Sequence, residues 1–330
     1  MQHNYSDDHL RLAARLYYID GLAQNEVARL SKVSQAKVSR LLALARQRGI
    51  VRISVADYDP RHPQLEEQLT RKLGLGTAIV IKAIDGLGST DLRRAVGHFS
   101  AAAVDALIKP AATIALAGGR TLHELVNHLA PSQNRAVTVV QAMGSVDSTV
   151  SAFDAQEVGR ALAQRLGGSF LALNTPAYMP ERRTRDVLLQ LEQVRTVRSQ
   201  LDRADLAFVG LGTLENSVFV ERGVLGSAEV AKLRRAGTVG ETCGRFFDAD
   251  GRECATPWRS RVMSVELDQL RHIPQVIGVV SGDDRSAAIL AATRGGILKG
   301  LVIDETGART LLAAAGAGSR RPTSLSQSRP

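Results

Sequence analysis

The chain has 330 residues, with 42 Lys+Arg against 33 Asp+Glu and a net charge of +9. The excess sits at the ends, with nine basic and four acidic residues in 1–56, three and none in 314–330, and a near-neutral middle; this excludes a uniformly basic coat and points to a small basic module on an ordinary globular body. A polar, acidic Met1–Asp8 start excludes a signal peptide, no apolar run reaches transmembrane length, and two cysteines outside any C-x-x-C pair exclude a disulfide framework or structural zinc site.

Residues 1–56 read as a winged helix-turn-helix. Leu10, Ala13, Ala14, Leu16 and Tyr17 make one apolar face of a first helix that ends at Asp20-Gly21. A second helix begins near Gln24 and turns Val27, Ala28 and Leu30 inward. Ser34 stands as the N-cap of a third, whose inner face is Val38, Leu41, Leu42 and Ala45, with Gly49 closing it. Ile50–Val55 alternates β-branched residues and reads as a strand, the wing. Small Ala28 lets two helices cross, Val33 and Val38 pack beneath, and the first turns of the third helix face outward. The outward set is chemically suited to DNA: Gln35 to adenine, Lys37 and Arg40 to guanine, and Ser39 or Lys37 to phosphate, with Gln24, Ser34 and Arg52 as further contacts. One position departs from the pattern. Lys32 occupies the turn site where Gly is usual, at a cost of roughly 1 kcal/mol for a left-handed backbone.

Residues 57–64, with Pro60 and Pro63, read as a linker, and Leu65, Leu69, Leu73 and Leu75 as a short helix. Residues 65–315 then alternate strand and helix. Strands are read at Ala78–Ile81, Thr113–Leu116, Val137–Gln141, Ser169–Leu173, Leu206–Gly210, Arg261–Val265, Val276–Val280 and Leu301–Ile303. Helices are read at Leu92–Leu107, Thr121–Leu129, Ala155–Leu166, Ala228–Arg235, Arg285–Thr293 and Thr306–Ala314. Short apolar strands between helices define an α/β domain with a largely parallel sheet covered on both faces. The Ser/Arg/Pro-rich segment 316–330 reads as a disordered tail.

Gly118-Gly119-Arg120-Thr121 lies between a strand and a helix, where free N–H groups and the helix dipole suit an anion; a turn without ligand fits the four residues equally. The seven histidines show no metal-ligand spacing: His123 and His128 are five apart, which suits neither helical face pairing. Trp258, Phe246 and Phe247 read as core, and Cys243 as a small buried residue.

The motifs together resemble the SorC-type sugar-binding transcriptional regulators, a family that includes regulators of sorbitol, deoxyribonucleoside and central glycolytic operons. The marks are Val38-Ser39-Arg40-Leu41-Leu42, Gly118-Gly119-Arg120-Thr121-Leu122, Val139–Gly144, Leu166-Gly167-Gly168, Gly240–Asp248, Ile273–Val279 and Ala288–Gly296. The resemblance spans about Leu10 to Leu312. It implies a winged helix-turn-helix followed by an effector and oligomerisation domain similar to ribose-5-phosphate isomerase and glucosamine-6-phosphate deaminase. It also implies a sugar effector, usually phosphorylated, and a homotetramer built as a dimer of dimers. By the same resemblance the effector-binding residues are Gly119, Arg120, Thr121, Gln141, Gly144, Glu241 and Arg285. Glu241 stands where many members carry Asp, and Arg285 where members commonly carry Lys.

The reading is therefore a cytoplasmic, DNA-binding regulator of a carbohydrate-utilisation operon, with no catalytic residues, cofactor, metal or membrane partner. The alternative is a sugar-phosphate isomerase or deaminase with an accessory DNA-binding head. Such chemistry needs a placed base and often a Lys or His beside the carbonyl. Among these residues Glu241 is the base it would use.

Overall fold

The computed structural model describes residues 5–56, 58–84 and 86–318. It divides into two compact units, Met1–Tyr58 and Asp59–Pro330.

The first unit is helical. Its helices are α1 (Asp7–Ala14), continued by a π-helical turn over Arg15–Ile19, α2 (Gln24–Leu30) and α3 (Gln35–Gln47). Most of the residues read as inward-facing form its core: Leu10, Ala13, Ala14, Val27, Ala28, Val38, Leu41, Leu42 and Ala45 are buried, and Leu16, Tyr17 and Val33 pack half-buried against them. Leu30 does not turn inward: as the last residue of α2 it lies 58% exposed. Gly21 and Gly49, both at φ 70°, close the helices they follow. Ile50–Val55 does not form the strand read from its alternation. A ladder needs a partner, and no other strand lies in this unit among the described residues. Ile53 and Val55 accordingly stay exposed, at 58% and 81%.

The second unit opens with α4 (Pro63–Leu73). Pro63 sits in its first turn, where a fixed φ and a missing N–H cost nothing, so the last two residues of the 57–64 linker are helical. Asp57 lies outside the described residues. Seven strands follow: β1 (Thr77–Ile81), β2 (Thr113–Leu116), β3 (Thr138–Gln141), β4 (Ser169–Leu171), β5 (Leu206–Val209), then β8 (Gln275–Val279) and β9 (Gly300–Asp304) after a separate hairpin, β6 (Gly240–Thr242) with β7 (Arg245–Phe247). The seven form one sheet in the order β1-β9-β8-β5-β2-β3-β4, with every neighbouring pair parallel. All four residues of β5 are buried, as expected where helices cover both faces.

The connecting helices are α5 (Ser89–Asp105), α6 (Arg120–His128), α7 (Ala155–Arg165), α8 (Arg182–Leu188), α9 (Glu192–Leu201), α10 (Val218–Glu221), α11 (Ser227–Arg235), α12 (Leu267–His272), α13 (Ser286–Arg294) and α14 (Glu305–Gly318). The last runs through 316–318, which the sequence assigned to the tail; residues 319–330 of that tail lie outside the described residues. Trp258, Phe246 and Phe247 are core, with Trp258 stacked on Tyr178 at 4.4 Å.

Arg261–Val265 is not a strand either. Its backbone changes partner midway: Arg261 O and Met263 N–H bond to Met179 and Ala177, while Met263 O and Val265 N–H bond to Gly144 and Ala142. A segment that stitches two others together alternates like a strand without forming a ladder with either.

Candidate functional site

From β2 the chain passes to β3 and β4 on one side of the sheet, then returns to β5, β8 and β9 on the other. The β2/β5 boundary is thus a topological switch point, where loops leaving the strand ends diverge and open a crevice. A cavity of about 360 Å³ lies there, lined by Gly118–Leu122 after β2, Gly210–Gly212 after β5, and Val279 at the end of β8 with Val280 and Ser281 after it.

Glycine is required at its rim. A Cβ on Gly118 would meet Phe153 O at 2.6 Å, and Gly119 adopts φ 144°, a backbone that L side chains rarely reach. No side chain caps α6, so the N–H groups of its first turn have no acceptor from the N-cap, an arrangement that suits an anion. Thr121 Oγ1 is buried 3.5 Å from Ser281 Oγ, which ties the starts of the two loops. α13 likewise begins without a side-chain cap, at Arg285.

Of the seven effector residues drawn from the resemblance, Gly119, Arg120, Thr121, Glu241 and Arg285 line this cavity. Gln141 and Gly144 do not. The Gln141 amide is spent inside the protein: Nε2 donates to Met143 O at 2.7 Å and Oε1 accepts from Leu173 N at 2.8 Å. Gly144 serves close packing, since a Cβ there would meet Thr175 O at 2.4 Å.

Glu241 is only 7% exposed. Burial holds its carboxyl above the usual carboxylate range, against a Ser217 hydrogen bond and the Gly244 N–H, which donates to Oε1 at 3.0 Å. The N–H sits there because Cys243 and Gly244, at φ 51° and 73°, make the two-residue turn between β6 and β7. Cys243 also faces the cavity, but burial pushes its thiol up to about 12, so it is not a nucleophile at neutral pH.

The arginines carry the remaining electrostatics. Arg120 pairs with Glu221 and Arg285 with Asp284, while Arg222 bonds Asp154 at 2.8 Å. Arg93, from the first turns of α5, and Arg222 were absent from the sequence reading. The Gly210-x-Gly212 turn mirrors Gly118-Gly119 at the next strand end and was a usable signal. Nothing in the sequence sets Arg93 off from Arg94 beside it, which pairs with Asp91 at 2.9 Å.

In the first unit, Val33 N–H bonds Ala28 O at 3.0 Å and Lys32 adopts φ 51°, the left-handed turn expected at that place. Ser34 Oγ accepts from Lys37 N at 3.2 Å and caps α3. Ser34, Gln35, Ser39, Arg40 and Arg52 are exposed and Gln24 is half-buried. Lys37 is half-buried too, with Nζ 5.2 Å from the centre of the Tyr5 ring.

Fold and cavity together define an α/β ligand-binding domain preceded by a helical unit. Residues 61–313 match the family model Sugar-bind, a sugar-binding domain. The chain is 30% identical to the sorbitol operon regulator of Klebsiella pneumoniae, over 93% of this chain and 99% of that one. It is also 30% identical to the deoxyribonucleoside regulator of Bacillus subtilis, over 91% and 96%. The crystal structure of the full-length Klebsiella regulator superposes with a TM-score of 0.75, covering 94% of this chain and all of that one. The chain belongs to the SorC-type family of sugar-binding transcriptional regulators. No helix among the described residues is long and apolar enough to cross a membrane.

Proposed function

We propose that this chain regulates a carbohydrate-utilisation operon by binding operator DNA with an affinity set by a phosphorylated sugar in the β2/β5 cavity. The observation that carries this reading is the coincidence of an uncapped α6 N-terminus, Gly-rich strand ends and arginines at the switch point of a sugar-binding domain. The phosphate sits at Arg120, Thr121 and Arg285, and Glu241 meets hydroxyls.

The first unit is read as a helix-turn-helix without a stranded wing. α3 enters the major groove with Gln35 and Arg40, and Ser39, Ser34, Gln24, Lys37 and Arg52 approach the backbone. We read the second unit as similar in fold to ribose-5-phosphate isomerase and glucosamine-6-phosphate deaminase, and as the part that assembles a cytoplasmic homotetramer. Two recognition helices per dimer then match or miss operator half-sites as the effector changes the assembly's relative stabilities. Binding is favoured over turnover because the described lining holds no Lys or His to act at a sugar carbonyl.

The test is thermal stability and operator affinity across a panel of sugar phosphates. At least one is expected to raise Tm and to shift operator Kd about 5- to 150-fold, the usual span of allosteric coupling. If none stabilises the chain or alters DNA binding, the sensor reading falls.

A further inference from the structure

Four arginines line the cavity, and three have their charge answered within the protein. Glu221 answers Arg120 and Asp284 answers Arg285. Arg222 faces two carboxylates, Asp147 at 3.4 Å and Asp154 at 2.8 Å. Arg93 alone has no ion pair among the described residues. Burial and the neighbouring charges of Arg120 and Arg285 press its guanidinium below its ordinary value, offset only in part by Asp284 and Glu221. Within the protein alone this is unfavourable on three counts: partial desolvation, like-charge neighbours and a fork of N–H donors without an acceptor. Nor is it needed for packing: α5 buries Val96, Gly97, Ser100, Ala101 and Val104, and Arg93 is not among them.

We infer that Arg93 is the specificity-determining residue of the site: it donates to the phosphate of the effector and makes the cavity prefer a phosphorylated sugar over its parent. The inference rests on the reading that the cavity holds a phosphorylated sugar. A phosphate oxygen pair matches the guanidinium fork bidentately and supplies the charge that the protein withholds. A neutral hydroxyl satisfies a donor but leaves the charge unanswered. Arg120 and Arg285 contribute less to this choice, because each already holds a carboxylate that the phosphate must displace or share.

The experiment uses the full chain with Arg93→Gln and Arg93→Lys. Calorimetric affinities are measured for ribose 5-phosphate, glucose 6-phosphate and sorbitol 6-phosphate, for the three parent sugars, and for inorganic phosphate. For whichever sugar phosphate binds the wild type, Arg93→Gln is expected to weaken it about 10- to 100-fold, the scale of a hydrogen bond to a charged group. The preference over the parent sugar should shrink by the same factor, and Arg93→Lys should restore most of it. Ligand-free Tm of Arg93→Gln should not fall, whereas the loss of a structural brace would lower it. Equal affinity of wild type and Arg93→Gln for a sugar phosphate overturns the role of Arg93 and leaves the effector reading standing. Inorganic phosphate bound through Arg93 with no sugar phosphate bound supports Arg93 as a phosphate ligand and sinks the sugar reading. A wild type that binds none of the phosphates overturns both.

Discussion

Two depressions on the second unit are lined by arginine, and they use it in opposite ways. The wider one, about 990 Å³, carries eight arginines and five carboxylates, drawn from α8, α9, β7, α12, α13 and the loops around them. Its arginines are largely spent. Arg245, 1% exposed, donates to Ser264 Oγ at 3.1 Å, Glu253 at 3.1 Å and Arg259 O at 3.0 Å, and pairs with Glu266 at 2.9 Å. Arg185 donates to Val262 O at 2.8 Å and to Glu266 at 2.5 Å. Arg271 bonds Gly295 O and Gly251 O. In the smaller cavity the pairs are with single carboxylates or, for Arg222, two, and Arg93 has none among the described residues. The number of arginines does not mark a binding site; donors without a protein acceptor do.

The contrast is sharpest where its predicted effect is largest. Arg245→Met leaves Glu253 and Glu266 facing less charge in a buried network, and is expected to cost about 3–5 kcal/mol of stability. Urea denaturation checks it; a loss under about 1 kcal/mol would make Arg245 as dispensable as a surface charge. An arginine that serves a partner should instead show its effect in binding. Arg40→Ala is expected to lower specific operator affinity by about 1–3 kcal/mol if it reads guanine, with competitor DNA as the control. A uniform loss across sequences would make it a phosphate contact.

Glu241 gives a signed comparison within the cavity. Its folded-state pKa is raised, so its contribution to stability is fully present below the unfolded carboxylate value and is lost as pH rises through the folded one. Glu241→Gln keeps an acceptor for the Gly244 N–H without the buried charge. It should therefore be more stable than wild type at neutral pH and level with it in acid, by thermal melts across that range. The smallest stability effect belongs to Arg93→Gln, within about 0.5 kcal/mol of wild type. A larger loss would show that Arg93 braces the fold as Arg245 does.

Much of this architecture was legible in the residues. Continuous apolar runs such as Thr113–Leu116 gave the parallel strands, because burial on both faces leaves no polar position. Periodicity found the first-unit core and Ser34 its cap. It failed where local pattern and tertiary partner part company: Ile50–Val55 alternates with nothing to pair with, and Arg261–Val265 divides its bonds between two segments. β6 and β7 escaped because three residues are too short to show a period. α8 escaped because it buries no residue and so has no apolar stripe. At the site, motif residues at strand ends were found by position. Gln141 shows the limit of that approach, since its amide is turned to the backbone. Arg93 shows the converse: it enters the cavity from a helix on the strength of a fold that brings α5 beside α6, a contact no local sequence feature records.

The central claim is that a phosphorylated sugar in the β2/β5 cavity sets operator affinity. Fluorescence anisotropy of labelled operator, at fixed salt and with a sugar phosphate that calorimetry shows to bind, tests it directly. The account predicts a wild-type Kd shifted about 5- to 150-fold at saturation, with about 10- to 100-fold more ligand needed for Arg93→Gln to reach the same shift. An operator Kd that stays constant while the sugar phosphate saturates the cavity would contradict it.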